Sequence, residues 1–534
     1  MNRREALLSA LGLSMSGHAW GASRLSREAR PNILYIMSDD HATTAIGAYG
    51  GRLAVLNPTP RLDALAASGT LFENALVTNA ICTPSRATIL TGQYSHTNGV
   101  LDLDGALDPG KQLLPTLLKD AGYFTALIGK WHLRREPTAF DHYAILPDQG
   151  SYRDPSFLTR GPRPFPANIL KSKGHSTDVI TDMAIDWLEG RRPGQPYCLM
   201  LQYKAPHAPF DFAPRYAPYL ADVEVPEPTT LYDQAGWGSL STRGPDDSLR
   251  HAIGSSISRR NLPRSLGVAL GIPTDLPERE FTHRAYQEYL KRYLRCVKGI
   301  DDNVGRLLDY LDDSGQAHNT VIIYTSDQGM LLGEHDLQDK RWIYEESLKM
   351  PLIIRDQRQI SAPSRVSALI NNTDFAPTLL DLAGAPPSPQ MQGRSFLGFL
   401  RRTPPRDWRS ASYYRYWMHR VHHDVPAHFG IRSGTHKLIF FYGIHYGQPD
   451  QKENPPRIFD GDYAPRWAVP TPPGWEFYDL SIDPEERVNR YSDPQYRNII
   501  AEMKRELALQ RQAVGDTDSD YPTIRAIIEK FWND

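Results

Sequence analysis

Four apolar runs, each stopping in a small knot of polar residues, constrain this chain more than any other feature. Asn32-Ile-Leu-Tyr-Ile-Met37 follows Pro31 and ends at Ser38-Asp39-Asp40-His41. Residues 123–128 end at Gly129-Lys130-Trp131-His132, 197–203 at Lys204-Ala-Pro-His207, and 320–325 at Ser326-Asp327-Gln328-Gly329. Such short, continuous apolar runs suit strands covered on both faces. Helical periodicity fills the gaps, over 113–121, 178–188 and 286–311. Strands alternating with helices give an α/β fold with a mainly parallel, doubly covered sheet. Ligands of such sheets bind beyond the carboxyl ends of the strands. All four runs carry their acids, cations and histidines at that end, so Asp39 and Asp327 are expected to meet.

At 534 residues the chain exceeds one ordinary domain. The texture changes after Leu382-Ala-Gly-Ala-Pro-Pro387, which predicts a large domain over 31–402 and a smaller α+β domain over 403–534. The smaller one has short strands near 430–431, 437–442 and 476–479 and a last helix over Arg497–Val514. Residues 212–280 are rich in Pro, Ser and charge with weak periodicity. They form a loop-rich insertion, which fits either a functional excursion or a solvated one. A net charge of −2 excludes a nucleic-acid binder that relies on a strong positive field, but not a local pocket for an anion. No apolar run is long enough to span a bilayer. The start, Met-Asn-Arg3-Arg4-Glu followed by a short apolar stretch, predicts an export signal over 1–23 of the twin-arginine kind, leading to the periplasm or beyond. A basic tail is the plainer reading.

Three cysteines, Cys82, Cys198 and Cys296, make neither a disulfide framework nor a zinc site. Cys198 lies in a strand-like run and Cys296 in a helical one, so both read as structural. Asp39, Asp40, Asp327 and Gln328 supply oxygen donors at two strand ends. An all-oxygen set favours calcium or magnesium over zinc. Carboxylates capping strand ends would explain Asp39 and Asp40, but not both pairs together.

The segment Cys82-Thr83-Pro84-Ser85-Arg86, continued through Leu90-Thr91-Gly92, resembles the signature of the type I, formylglycine-dependent sulfatases. The likeness extends from Pro31 to about Asp483. It implies an alkaline-phosphatase-like sandwich with a large sheet between helices. It also implies that a formylglycine-generating or anaerobic maturation enzyme oxidises Cys82 to Cα-formylglycine. A hydrated aldehyde carries two hydroxyls: one attacks sulfur, and the other expels sulfate by restoring the aldehyde, which makes the second half of covalent catalysis easy. The resemblance implies one Ca2+ on Asp39, Asp40, Asp327, Gln328 and the modified Cys82. Many members carry Asn where this chain has Gln328, whose amide oxygen can still coordinate.

Arg86, Lys130 and Lys340 are the cations the resemblance assigns to sulfate. His132 would assist sulfate elimination. His207, with Lys340, would protonate the leaving oxygen, which matters because a sugar alkoxide leaves poorly. Asp327 would take the nucleophile's proton, and His335 reads as structural. The cluster His422, His423 and His428, with Arg432, His436 and Lys437 nearby, invites a transition-metal reading. A pocket wall touching substrate fits better, and a solvated strand-loop face fits as well.

Segments 128–132, 204–209 and 478–480 are similar to those of exported N-acetylglucosamine-6-sulfatases. The expected activity is hydrolysis of a sulfate ester on a carbohydrate. The alternatives are a phosphonate or phosphodiester hydrolase of the same superfamily, and a non-catalytic glycan-binding relative.

Overall fold

The computed structural model describes residues 30–358, 363–447 and 466–534; the export signal expected over 1–23 lies outside them. Ten strands form the main sheet. In chain order they are β1 (Asn32–Asp39), β2 (Thr70–Phe72), β3 (Phe124–Lys130), β4 (His142–Leu146), β5 (Ser156–Thr159), β6 (Ile169–Lys171), β7 (Tyr197–Pro206), β8 (Thr320–Ser326), β9 (Leu352–Arg355) and β10 (Ser364–Val366). Their spatial order is β10-β2-β9-β8-β1-β7-β3-β4-β5-β6. The centre, β8-β1-β7-β3-β4, is parallel throughout. Antiparallel pairing of β9 with β8 and β2, and of β5 with β4 and β6, makes the whole sheet mixed.

Strand β1 shows why the centre is apolar on both faces. Ile33, Tyr35 and Met37 face one core, shared with α2 (Cys82–Thr91), α3 (Leu114–Asp120) and α6 (Phe375–Leu382). Leu34 and Ile36 face the other, shared with α1 (Pro60–Ala67), α4 (Ser176–Gly190) and the long α5 (Glu278–Asp313). Each fully buried aliphatic side chain contributes roughly 1.5–3 kcal/mol, so a charge at Ile36 would unseat the central strand. The 212–280 stretch is built of turns and short helices such as Leu240–Arg243 and Leu266–Ala269.

A second, four-stranded antiparallel sheet follows: β11 (Ala411–Tyr416), β12 (His428–Ser433), β13 (His436–Phe441) and β14 (Gly474–Asp479), in that spatial order. One face, with Phe429, Ile431, Leu438, Phe440 and Phe477, packs on α7 (Arg497–Val514) and α8 (Pro522–Phe531). Helix α8 was not expected from the sequence. The other face packs against residues 341–345 of the large unit, through Tyr414, His428, Phe441 and Tyr478. Among the described residues, no helix is long and apolar enough to cross a membrane.

Candidate active site

The parallel strands deliver their polar ends to one place. At the end of β1 the pairing with β7 slips between Met37 and Asp39, and Asp40 takes a left-handed φ of 67°. A non-glycine residue there carries strain of order 1–3 kcal/mol, and it turns Asp40 beside Asp39. At the end of β3, Gly129 has φ 109°. A Cβ at Gly129 would lie 1.9 Å from the Gln202 carbonyl oxygen, so only glycine lets β3 approach β7 closely enough to set Lys130. After β8, a Cβ on Gly329 would lie 2.1 Å from the Glu346 carbonyl oxygen. That contact seats Asp327 and Gln328 against the segment that carries Lys340.

Cys82 opens helix α2, where unpaired backbone N–H groups give a positive end. Its thiol donates to Asp39 Oδ1 at 3.3 Å and accepts from Lys340 Nζ at 3.2 Å. Burial first, then Asp39, pushes the thiol up to about 12 against the pull of Lys130 and Lys340. The unmodified side chain is therefore a neutral thiol, a poor nucleophile.

Asp39, Asp40 and Asp327 each bring a carboxylate oxygen within 4.8 Å of the others. Asp39 is paired by Lys130. Burial alone would raise its carboxyl, but Lys130, His207, Arg86 and Lys340 hold it well below the usual range. Asp40 is bridged by Lys340 Nζ at 2.7 and 2.8 Å. Arg86 donates to Asp327 Oδ2 from Nε at 3.1 Å and from Nη2 at 2.8 Å. Even so, burial and then Asp39 raise Asp327 to about 7. Gln328 turns its amide nitrogen to Asp40 and Asp327, and its buried Oε1 has no partner among the described residues. Three crowded carboxylates and an orphaned amide oxygen fit a hard divalent cation. It would relieve the like-charge repulsion and, with the amide turned over, engage that oxygen. Cys82, Asp39 and His207 form an overlapping second group.

Above Cys82 lies a cavity of about 220 Å³, lined among others by Asp40, Gln149, His207, Lys340, Arg341, His422 and His423. His207 Nδ1 lies 2.8 Å from the Ala208 carbonyl oxygen, and its Nε2 lies 3.7 Å from Asp40 Oδ2. Because Nδ1 must donate to that carbonyl, a proton on Nε2 makes the ring an imidazolium. Burial, Lys340 and Lys130 hold the His207 ring well below its ordinary value, against Asp39.

Other expected site residues sit differently. Arg86 and Lys130 are buried away from the cavity surface, and their charge is spent on Asp327 and Asp39, with further bonds to Gln202 and Gln149. His132 lies between Thr83 and Asp148, at 3.4 and 3.5 Å. It faces a neighbouring trough with Trp131, Phe165 and Ile169 rather than the Cys82 cavity.

His428 and Arg432 do not reach the cavity. His428, Gly430 and Arg432 alternate on one face of β12, which packs on 342–345: His428 stacks on Trp342, and Arg432 pairs with Glu345 at 3.1 Å. Lys437 is likewise paired with Glu345 at 2.9 Å and Glu486 at 2.6 Å, and His436 lies 3.9 Å from Asp479. His428, Arg432 and Lys437 thus buttress the segment after Lys340, while His436 stacks on Phe477 on the opposite face of the sheet. His335 is buried and stacked on Trp237.

Gln149 was missed, although 143–146 ending at Pro147-Asp148-Gln149 repeats the pattern of an apolar strand with a polar end. Gln202, a lone amide inside an apolar strand, was the signal for the Arg86 anchor.

Acids and cations gathered beyond the carboxyl ends of the central strands, in a sheet between two helical layers, define an alkaline-phosphatase-like hydrolase. The chain belongs to the sulfatase family, whose members hydrolyse sulfate esters: the model described as Sulfatase matches residues 31–385. A second, described as N-sulphoglucosamine sulphohydrolase, C-terminal, matches 333–458. The chain is 37% identical over 526 residues to an N-acetylglucosamine-6-O-sulfatase of Bacteroides thetaiotaomicron, covering 92% of this chain and 88% of the relative. A solved structure, described as in complex with its substrate D-glucosamine-2-N,6-O-disulfate, superposes with a TM-score of 0.77 at 36% identity, over 92% of this chain and 99% of the other. A phosphonate monoester hydrolase from Silicibacter pomeroyi shares the fold, with a TM-score of 0.67 at 22% identity, over 90% of this chain and 95% of the other.

Proposed function

We propose that this sulfatase removes sulfate from a sulfated amino sugar, N-acetylglucosamine-6-sulfate or a close relative, within an exported glycan-degrading system. The observation that carries the reading is the meeting of Cys82 with three carboxylates and Lys340 at the floor of an open cavity. The substrates and activities named for the relatives support the amino sugar. The catalytic unit spans 31–402, and the 403–534 unit braces the Lys340 segment.

Asp39, Asp40, Asp327, Gln328 and the modified Cys82 would hold one Ca2+, which supplies positive charge to sulfate oxygens and nucleophile alike. Matured by a dedicated enzyme to Cα-formylglycine, Cys82 would supply a hydrated aldehyde as nucleophile. Lys340 Nζ, 3.2 Å from Cys82 Sγ, meets the sulfonyl oxygens as sulfur approaches residue 82. Lys130 keeps Asp39 ionised, and Arg86 aims Asp327 and opposes the rise that burial and Asp39 impose on its carboxyl. His207 Nε2 faces the cavity and, once protonated, delivers its proton to the sugar oxygen that leaves sulfur. His132, held by Asp148 and touching Thr83 next to residue 82, would assist sulfate elimination.

The test combines two measurements on protein produced with a maturation enzyme. Mass spectrometry of the Cys82 peptide should show the mass loss of thiol-to-aldehyde conversion. Cys82→Ala should lower desulfation of N-acetylglucosamine-6-sulfate by about 10⁴-fold or more with an unchanged melting temperature. Equal turnover by the alanine variant, or faster cleavage of the matching phosphate or phosphonate ester, would overturn the reading.

A further inference from the structure

The sheet has a second end, and it is dressed in a way the reaction does not need. Strand β3 begins at Phe124 and β7 at Tyr197, while their catalytic ends lie at Lys130 and Pro206. Six residue steps along β3 put the two ends about 20 Å apart. At the starting ends lies a cavity of about 500 Å³ lined by Phe124, Trp187, Arg191, Arg192, Gln195 and Tyr197, within the usual size of small-ligand sites, roughly 300–1,000 Å³. Trp187, from α4, is ringed by Phe124 and Tyr197 with centroids 6.0 and 5.6 Å away. Phe124 is 36% exposed in spite of its size.

Two guanidiniums stand beside these rings. Arg191 lies 4.7 Å over the Tyr197 ring and bonds Gln316, so it is held in place. Arg192 is exposed and has no hydrogen bond or ion pair among the described residues. No carboxylate lines the cavity. Flat aromatic faces next to forked cations match a ligand with an apolar face and a tetrahedral anion. The C–H face of a pyranose packs on an indole, and a sulfate accepts paired N–H bonds from a guanidinium.

We propose that this cavity is a non-catalytic site for a sulfated sugar unit, anchoring a glycan chain whose other residues are presented to the catalytic cavity or to a neighbouring enzyme. The identity of the ligand rests on the glycan-sulfatase reading; the cavity and its charge do not. A stacked base with a phosphate has similar chemistry and serves as the competing outcome.

The experiment is calorimetric titration of the full-length Cys82→Ala protein with a sulfated hexosamine tetrasaccharide, its desulfated counterpart and a nucleoside triphosphate. Two sites per chain are expected for the sulfated sugar. Arg192→Glu should remove one of them or weaken it at least tenfold, and Trp187→Ala should do the same. Arg192 is exposed, so its variant stays informative even if the tryptophan variant fails to fold. In the active enzyme, Arg192→Glu should raise KM for a sulfated polysaccharide about tenfold and leave kcat/KM for the monosaccharide sulfate unchanged. A single site insensitive to both substitutions, equal binding of the desulfated sugar, or binding of the nucleotide alone overturns the inference. If desulfation is intact in that case, the proposed function stands. If no sulfated sugar binds or turns over anywhere, both fall together.

Discussion

Two regions of this molecule bury comparable amounts of charge and use it in opposite ways. Beyond the carboxyl ends of β1, β3 and β8, Asp39, Asp40 and Asp327 face Arg86, Lys130 and Lys340, yet the cluster stays open. It floors a cavity, Gln328 Oε1 is orphaned, and Asp327 is raised to about 7 chiefly by burial and then by Asp39. Beneath the small sheet, Glu345 and Glu486 meet Arg432, Lys437 and Lys349. Burial, opposed by Lys437 and aided by Glu345, likewise raises Glu486 to about 7. Neither glutamate lines the cavity above Cys82. Buried charge by itself therefore does not mark function. What separates the two is a set of carboxylate donors converging beside a cavity that reaches solvent.

The sharpest way to break this comparison is to remove one lysine from each region. With metal-loaded, matured protein, Lys340→Ala should lower kcat by about 10²–10³-fold, the scale for losing one donor to a developing negative charge. Its unfolding midpoint in denaturant should move little. Lys437→Met should do the reverse. It leaves Glu345 and Glu486 buried with less compensation, which costs about 3–5 kcal/mol of unfolding free energy, while kcat of the folded protein falls less than tenfold. If Lys340→Ala unfolds the protein with activity per folded molecule preserved, the open cluster is structural. If Lys437→Met abolishes turnover without loss of stability, the small sheet belongs to the catalytic apparatus.

The open region was the more legible of the two in the sequence. Its residues are polar interruptions at the ends of apolar strands, a pattern that needs no knowledge of which way a side chain points. The parallel centre of the sheet followed from the same runs, and the outer strands did not, because β2, β5, β6, β9 and β10 are only three or four residues long. The closed region was misread because its chemistry depends on facing. His422, His423 and His428 are neighbours in sequence, but His422 and His423 sit in a loop at the cavity mouth. His428 starts a strand whose alternate residues, His428, Gly430 and Arg432, all turn to Trp342–Glu345. A strand anticipated only at 430–431 has no register, and one residue of slip exchanges its faces.

The subtlest test concerns His428, which the structure moves from a substrate contact into the closed region. Its ring stacks between Trp342 and Tyr414, with Phe441 at 4.9 Å. Burial lowers it to about 4, with the hydrogen bond to the Pro426 carbonyl pulling the other way. The folded value lies below that of an unfolded histidine, about 6.5. Between pH 6.5 and 4 the unfolded chain therefore binds the extra proton, and stability present above pH 6.5 is lost as the pH falls. The whole shift is worth about 3 kcal/mol, and about 2–3 kcal/mol of it should be gone by pH 4.5. His428→Phe keeps the stacking and removes the titration, so its unfolding free energy should fall less than wild type between pH 7.5 and 4.5, by about that amount. Parallel pH curves for the two proteins would mean that the folded state protonates His428 as readily as the unfolded one. The ring would then have to face solvent or an anion, as a substrate contact does, and the boundary between the open and closed regions would have to be redrawn through β12.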